Sequence, residues 1–526
     1  MVNSSKILAF CLEKGLLVDN EVLNLFKDTE DIESVKIIID KLRRHTRQTI
    51  ITKSVFNENR EQVNQFFSDL PKESKLGMES LKIKLGLNIE ISREISIKPR
   101  EENYEIVESK RILNNGVKLI NNYPVLNKKL AVGDFVKHFR NRFSRMSVIL
   151  QQHPELTNLV SINKISGNRQ GISIIGLVSD ISVTKNKNII LEVEDLTGKI
   201  KVLINNNKEE LVAKAEEVML DSIIGFKASG TREILFVNDI VFPDCTLSER
   251  KRSSVDERVL FIGDLHFGSK LFMRENFLKF VDYLNGKVPG TEEEVSKIKY
   301  LFIVGDLISG VGNYPNQENE LEIVNLEEQF AGIAEILGRI RKDIQIIISP
   351  GNHDAVRIME PQPMFDEKFA WPLYEMENII LTSNPSTINI GAKEGFEGLN
   401  VLAYHGFSFF HYADNIIPLM KAKASHQPEL ILKFLLKHRH LSPTHGSNQY
   451  YPGEEDSNFI DVVPDILISG HVHKSGLSYY NNILIISVST WERMTAYMEK
   501  VGSKPDFCKV PMLNLKTREV KILDFE

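Results

Sequence analysis

Five short apolar runs in the second half of the chain each end abruptly in a polar cluster. This repeated pattern restricts the fold more than any other feature. Val259-Leu260-Phe261-Ile262 runs into Gly263-Asp264-Leu265-His266, and Tyr300-Leu301-Phe302-Ile303-Val304 into Gly305-Asp306. Ile344-Gln345-Ile346-Ile347-Ile348 precedes Ser349-Pro350-Gly351-Asn352-His353-Asp354, Val401-Leu402-Ala403-Tyr404 precedes His405-Gly406, and Ile466-Leu467-Ile468 precedes Ser469-Gly470-His471-Val472-His473. Continuous apolar runs of this length suit strands covered on both faces, and sites in such folds gather at the C-terminal ends of strands. The pattern predicts an α/β domain over 251–526, layered β-sheets flanked by helices, with five strand ends directed at one place.

The residue types in those clusters specify a chemistry. Cys11, Cys245 and Cys508 lie far apart with no C-x-x-C pair, which excludes a zinc ribbon or a disulfide framework. Any metal must be held by oxygen and nitrogen, and carboxylates with imidazoles suit Mn²⁺ foremost, or Mg²⁺, Fe²⁺ or Zn²⁺. An aspartate can place one oxygen on each of two ions, so Asp306, alone at its strand end, is the expected bridging ligand. Asp264 and His266, two residues apart beyond a strand, share a face and are expected to hold one ion with His473. Asn352, His405 and His471 would complete the second. Two divalent ions ~4 Å apart clamp a phosphodiester and lower the pKa of a bound water towards ~7. His353 is left to protonate the leaving oxygen, with Asp354 orienting its imidazole. His411, His438, His440 and His445 follow no buried strand, and surface solvation accounts for them. The run Lys437-His438-Arg439-His440 is a candidate flank for a DNA path.

At 526 residues the chain is too long for one core, and about 150 residues per domain suggests about three units. Residues 1–70 read as a small helical module, with Ile7, Phe10, Cys11, Leu16, Leu17, Val22, Leu23, Leu25 and Phe26 on its apolar face. From 71 to 130 the periodicity weakens and charge rises, which predicts a flexible linker. A helix over 131–150 carries Val132, Phe135, Val136, Phe139, Phe143, Met146 and Leu150 on one side and Lys137, Arg140, Arg142 and Arg145 among the rest. It reads as a helix packed on the next domain with a solvated basic face, in preference to a DNA-backbone contact. Over 170–243, three strands, a helical segment and two strands give the order of an OB-fold barrel, so 131–250 is expected to be an OB-fold domain with a leading helix. Its strand runs carry only two aromatic residues that could stack on bases, Phe226 and Phe236, which leaves protein contact at least as good a reading.

Apolar residues at 42% and charged residues at 26% match a soluble globular protein. No run is long enough for a membrane span, and Glu13-Lys14 cuts the N-terminal apolar stretch short of a signal peptide, so a cytoplasmic location is expected. A formal charge of −6 argues against gripping nucleic acid through bulk positive charge, so that if DNA is the substrate a partner is expected to help hold it.

The five clusters resemble the motifs of the calcineurin-like metallophosphoesterases, and that family's ligand roles fall on the residues assigned above. A narrower resemblance lies in Gly312-Asn313-Tyr314-Pro315-Asn316-Gln317, Asp354-Ala355-Val356-Arg357 and Pro361-Gln362-Pro363, which resemble the small subunits of replicative DNA polymerases. His440-Leu441-Ser442-Pro443-Thr444-His445-Gly446 and Val510-Pro511-Met512-Leu513-Asn514-Leu515 are similar to the archaeal family D form, over about residue 130 to the end. The resemblance implies a two-metal 3′–5′ proofreading exonuclease acting on DNA 3′ ends and paired with a large polymerising subunit. A phosphoprotein phosphatase is disfavoured because Gly305-Asp306-Leu307-Ile308-Ser309-Gly310 has no arginine and the later motif ends in Asp354 where glutamate is usual. A scaffold that has lost catalysis is disfavoured because every motif ligand is present.

Overall fold

The computed structural model describes residues 116–123, 129–500 and 502–526 and, nearer the N-terminus, 2–19, 32–46 and short pieces at 22–23, 26, 49–52, 55–56, 59, 62–63 and 66. The chain divides into two compact units, 1–106 and 107–526. Most of the expected linker, 71–115 and 124–128, lies outside the described residues, as does Leu25 of the N-terminal apolar face. Among the described residues no helix is long and apolar enough to cross a membrane.

In the first unit, helices Val2–Glu13 and Ile32–Thr46 pack through Ile7, Cys11, Val35, Ile38, Ile39 and Leu42, the i, i+3, i+4, i+7 spacing of one helical face. Strands β1 (Leu17–Val18) and β2 (Ile50–Ile51) pair in parallel beside them. Leu16 is buried as expected, but Leu17 is exposed. Alternation along β1 sends it to the opposite face.

The second unit opens with β3 (Lys118–Asn121), a strand where a linker was expected. It precedes helix Val132–Gln151 and pairs antiparallel with Ser386–Ile390, far down the chain. Strands β4 (Arg169–Val183), β5 (Ile189–Asp195), β6 (Gly198–Ile204), β7 (Ile223–Gly230) and β8 (Ile234–Val241) close a barrel in the order β4-β5-β6-β8-β7. Helix Glu209–Ala215 lies between β6 and β7, so the chain order is the one read from the sequence. Phe226 is wholly inside the barrel and unavailable for stacking, whereas Phe236 is exposed.

Two six-stranded sheets follow. The first runs β12 (Ile379–Leu381), β11 (Gln345–Ser349), β10 (Ile298–Val304), β9 (Arg258–Ile262), β18 (Lys509–Asn514) and β19 (Val520–Asp524). The second runs β16 (Gly476–Tyr480), β17 (Ile483–Ser487), β15 (Ile466–Ser469), β14 (Leu399–Ala403), β13 (Ser386–Ile390) and β3. Strands β9 to β12 are mutually parallel, as are β14, β15 and β17. Alternation assigns each side chain a layer. Val259, Phe261, Phe302 and Val304 meet Val401, Ala403, Ile466 and Ile468 between the sheets. Leu260, Ile262, Leu301 and Ile303 face helices Arg274–Leu284 and Leu326–Leu337 on one outer side. Leu402, Leu467 and Ile485 face helices Phe409–Asn415 and Pro428–His438 on the other. Both faces of every central strand are therefore dry, which is why those runs are apolar at nearly every position.

Helix Val132–Gln151 departs from its expected pattern. Val132 and Val136 are exposed, while His138 and Arg142 are buried. Arg142 Nε donates to the Asp456 carboxylate and Nη1 to Pro443 O at 2.7 Å. The same carboxylate lies 2.9 Å from His440 Nε2 and 3.3 Å from His138 Nε2. Arg142 is thus the anchor of the helix, and only Lys137 and Arg140 keep the exposed basic character expected of the whole set. His440 and His438 are buried, the latter against Phe242 and Phe434 with rings 4.9 and 4.3 Å away, so solvation does not account for them. Arg439 donates to the carbonyls of Ile460 and Asp461, and Lys437 pairs with Glu217, so this run is bound to the protein and does not form an open flank for DNA. Arg142→Ala strands a buried carboxylate and is expected to cost about 3–5 kcal/mol of stability, and Asp456→Ala, which strands the guanidinium and His440, a comparable amount. Urea unfolding of the full chain checks both.

Candidate metal centre

The ends of β9, β10 and β11 in one sheet and of β14 and β15 in the other meet at a single seam. Asp264, His266 and His473 form one donor group, Asp306, His405 and His471 a second, and His266, Asp306 and His353 a third, with the donor atoms within each group no more than 4.8 Å apart. Asn352 Oδ1 lies 3.1 Å from His405 Nε2. The structure therefore brings together every side chain expected at the centre.

Asp306 stands between the groups. Its Oδ2 is 3.2 Å from His405 Nε2 and 3.8 Å from His266 Nε2, while Oδ1 accepts the His353 amide at 2.8 Å. On the other flank, His473 Nε2 is 3.5 Å from Asp264 Oδ1 and 3.0 Å from His266 Nε2. His405 donates Nδ1–H to Val304 O at 3.2 Å, which turns Nε2 inward.

These residues fit a metal centre on three observations. First, the imidazole nitrogens of His266 and His473 point at each other beside two carboxylates, an arrangement that calls for a proton or a cation between them. Second, His473 Nδ1 is buried with no hydrogen-bond partner among the described atoms. Third, the backbone leaves room that a side chain would fill. A Cβ on Gly305 would sit 2.1 Å from His405 Nδ1, one on Gly351 2.3 Å from Asp306 Oδ1, and one on Gly470 2.6 Å from Asp264 Oδ2. Asp264, His266, Asp306, His471 and His473 all have φ between 49° and 71°. Side-chain-bearing residues adopt that region at a cost of about 1–2 kcal/mol each. Local bonds hold the strain, such as Asp264 N to Gly305 O and His266 N to Asp306 O, both 3.0 Å.

The electrostatics follow from burial and mutual proximity. Burial works against the Asp306 carboxylate, but His405, His353 and His266 hold it well below the usual carboxylate range. Burial likewise works against a charged His405, yet Asp306 and Asp264 push it up to about 10. Burial, reinforced by His405, depresses His471 to about 3, and burial depresses His266 well below its ordinary value. Asp306 favours positive charge at His405, and a divalent cation held by the same atoms would meet that demand.

Asp354 does not orient the His353 ring as expected. Its oxygens accept the amides of Ile308 at 2.9 Å and Gly351 at 2.7 Å, tying the loop after β10 to the loop after β11. Burial and the Asp306 charge raise its carboxyl to about 7. The His353 ring is held instead by Ser309 O, 3.0 Å from Nδ1, a carbonyl that also accepts Asn313 Nδ2 at 3.0 Å. A backbone carbonyl leaves no trace in side-chain identity, so the sequence carries no signal for it. Glu492 also stands near the centre without a mark in the sequence pattern. It is buried, faces His473 and His353, and has its carboxyl raised by that burial. It follows β17, whose end, Ser487-Val488-Ser489-Thr490, shows no ligand residues.

Two helix-covered sheets whose strand ends converge on an all-oxygen-and-nitrogen donor set match the layered arrangement expected of a metallophosphoesterase. A family profile for the DNA polymerase alpha/epsilon B-subunit matches residues 259–476, the span from β9 through His473. The DNA polymerase II small subunit of Methanothermobacter thermautotrophicus is 35% identical over 398 residues, covering 75% of this chain and 80% of that one. That of Pyrococcus abyssi is 34% identical over 435 residues, covering 81% and 68%. A solved archaeal phosphodiesterase aligns at 13% identity over 51% of this chain and 98% of its own, with a TM-score of 0.25. The chain belongs to the DNA polymerase II small-subunit family, in agreement with the motif resemblance.

Gly351→Ala is expected to displace Asp306 and weaken Mn²⁺ binding by at least tenfold while leaving the fold intact. Calorimetric Mn²⁺ titration alongside circular dichroism tests this, and unchanged binding would show that the close approach is not needed.

Proposed function

We propose that this chain is the 3′–5′ proofreading exonuclease subunit of a heteromeric replicative DNA polymerase, hydrolysing 3′-terminal phosphodiesters. The observation that carries the reading is Asp306, a buried carboxylate facing imidazoles of both donor groups, with His353 beside it on a separately anchored loop. Asp264, His266 and His473 would hold one divalent ion and Asn352, His405 and His471 the other, with Asp306 shared and Mn²⁺ the first candidate. The chemistry expected from divalent ions at such a centre is Lewis-acid activation of water and neutralisation of charge on the phosphodiester.

The chain's own residues supply orientation and the proton. Ser309 O fixes the His353 ring through Nδ1 and leaves Nε2 to deliver a proton to the leaving 3′ oxygen. Asp354 keeps the two loops bearing Asp306 and His353 in register. Diester over monoester cleavage is supported by the absence of an arginine from 305–310 and by the state of Arg357, which donates to Pro361 O at 2.7 Å and lies over Tyr451.

Polymerisation would belong to a large partner subunit, consistent with the relatives' description as small subunits. The barrel within 131–250 reads as an OB-fold given over to protein contact, since Phe226 is inside it and a single exposed ring, Phe236, makes a poor base-stacking surface on its strands. The helical module of 1–70 would serve as a separate attachment joined through the residues ahead of β3, and the whole would act in the cytoplasm.

His353→Ala is expected to keep its metals and lose 10²–10⁴-fold in cleavage, roughly the share of a general acid, while Asp306→Ala loses metal binding too. Mononucleotide release from a 3′-labelled primer with Mn²⁺ or Mg²⁺, for the chain alone and with its large subunit, measures cleavage, and calorimetric Mn²⁺ titration of each variant measures metal binding. Inertness of the unsubstituted chain under both conditions would establish the scaffold reading instead.

A further inference from the structure

The loop that carries His405 continues into two aromatic rings that the metal chemistry does not use. Phe407 is half-buried with its ring 5.5 Å from that of His471, and Phe410 is 47% exposed with its ring 5.6 Å from the same imidazole. His471 in turn lies 5.1 Å from His405. A row of rings therefore leads from the donor set to the surface and ends in an exposed phenyl.

The mounting is rigid. Phe409, next to Phe410 at the start of helix Phe409–Asn415, is fully buried and packs edge-on against Tyr404 at 5.8 Å. Gly406, at φ 117°, makes the turn, and a Cβ there would meet the Phe409 ring at 2.7 Å. Ser408 Oγ donates to Leu441 O at 2.9 Å. Burial of Phe409 and Tyr412 holds the helix down, which turns Phe410 outward beside the centre.

We infer that Phe410, backed by Phe407, is the stacking platform for the nucleobase of the terminal nucleotide, and so selects unpaired DNA ends. This rests on the exonuclease reading above. Three arguments support it. The rings adjoin the donor group of Asp306, His405 and His471, so a phosphodiester there places a neighbouring base within reach of Phe410. With a formal charge of −6 the chain has little bulk attraction for phosphate, and stacking is the sequence-tolerant source of affinity for single strands. A base still paired and stacked in duplex must first leave it, so a platform at the centre favours frayed or mismatched ends.

The test measures binding apart from turnover. In full-length chain carrying His353→Ala, with Mg²⁺, a single-stranded oligonucleotide ending in 3′ 2-aminopurine should be quenched on binding. Adding Phe410→Ala should relieve the quenching and weaken binding roughly 5- to 150-fold, the range set by base–aromatic stacking. Phe410→Tyr should restore both. An oligonucleotide with an abasic 3′ end should bind all three proteins equally. Unchanged quenching in Phe410→Ala, or equal weakening on the abasic strand, overturns the platform. So does loss of large-subunit binding with quenching intact, which makes the surface a protein contact. Failure of the unsubstituted chain to release nucleotides, with Phe410-dependent quenching retained, would instead overturn the exonuclease reading and leave the platform standing.

Discussion

A charged carboxylate held out of water is the constraint on which the centre depends. Left alone in that position, Asp306 would take up a proton, because desolvation disfavours its charged form. It stays ionised because one oxygen accepts a backbone amide and the other faces imidazoles of both donor groups. Removing any of these partners shifts the balance for the others, so the histidines, the glycine turns and the Asp354 clamp behave as one unit. The same requirement accounts for the positive φ angles. Five residues accept a disfavoured backbone region because only sharp turns directly off the strand ends bring their side chains to the seam.

The rest of the second unit keeps that seam still. Parallel strands in both sheets end on the same side, and outer helices cover the faces that do not meet. Glu360 shows how far the polar framework extends. It is fully buried, with its carboxyl raised to about 7 by that burial, and its Oε2 accepts from Asn458 at 2.9 Å and from Asn448. It also faces the hydroxyl of Tyr404, the residue before His405. Asn458 connects through its amide to Asp456, the partner of Arg142. A continuous run of buried polar contacts thus joins the helix ahead of the barrel to the strand end that carries His405. Such networks are demanding, since each unpaired member is costly in a dry interior, and they specify a single arrangement when complete.

Much of the centre is legible in the sequence, and the reason is local. A fully covered strand must be apolar at each position, so a sudden Asp, Asn or His at its end is visible in one dimension. Asp264, His266, Asp306, Asn352, His353, His405, His471 and His473 all stand out this way. The misreadings have the opposite character. Arg142 and His440 look like surface residues because their partner, Asp456, is hidden from any local pattern. Residues 116–123 look like linker because edge strand β3 finds β13 more than 260 residues later. Asp354 pairs on paper with the nearest imidazole, although backbone amides compete for its oxygens more effectively.

The sequence by itself determined the layered α/β class, the strand ends, the donor types and the strand and helix order of the barrel, because each is written in periodicity or in residues adjacent along the chain. Only the tertiary structure decided that the five ends belong to two different sheets meeting at one seam. It alone assigned His353 to a carbonyl, Asp354 to two amides, Arg142 to a buried carboxylate and Phe410 to the rim of the centre. Those outcomes depend on which distant groups share a low-dielectric space, where an unpaired polar atom is costly and the available partner is set by packing.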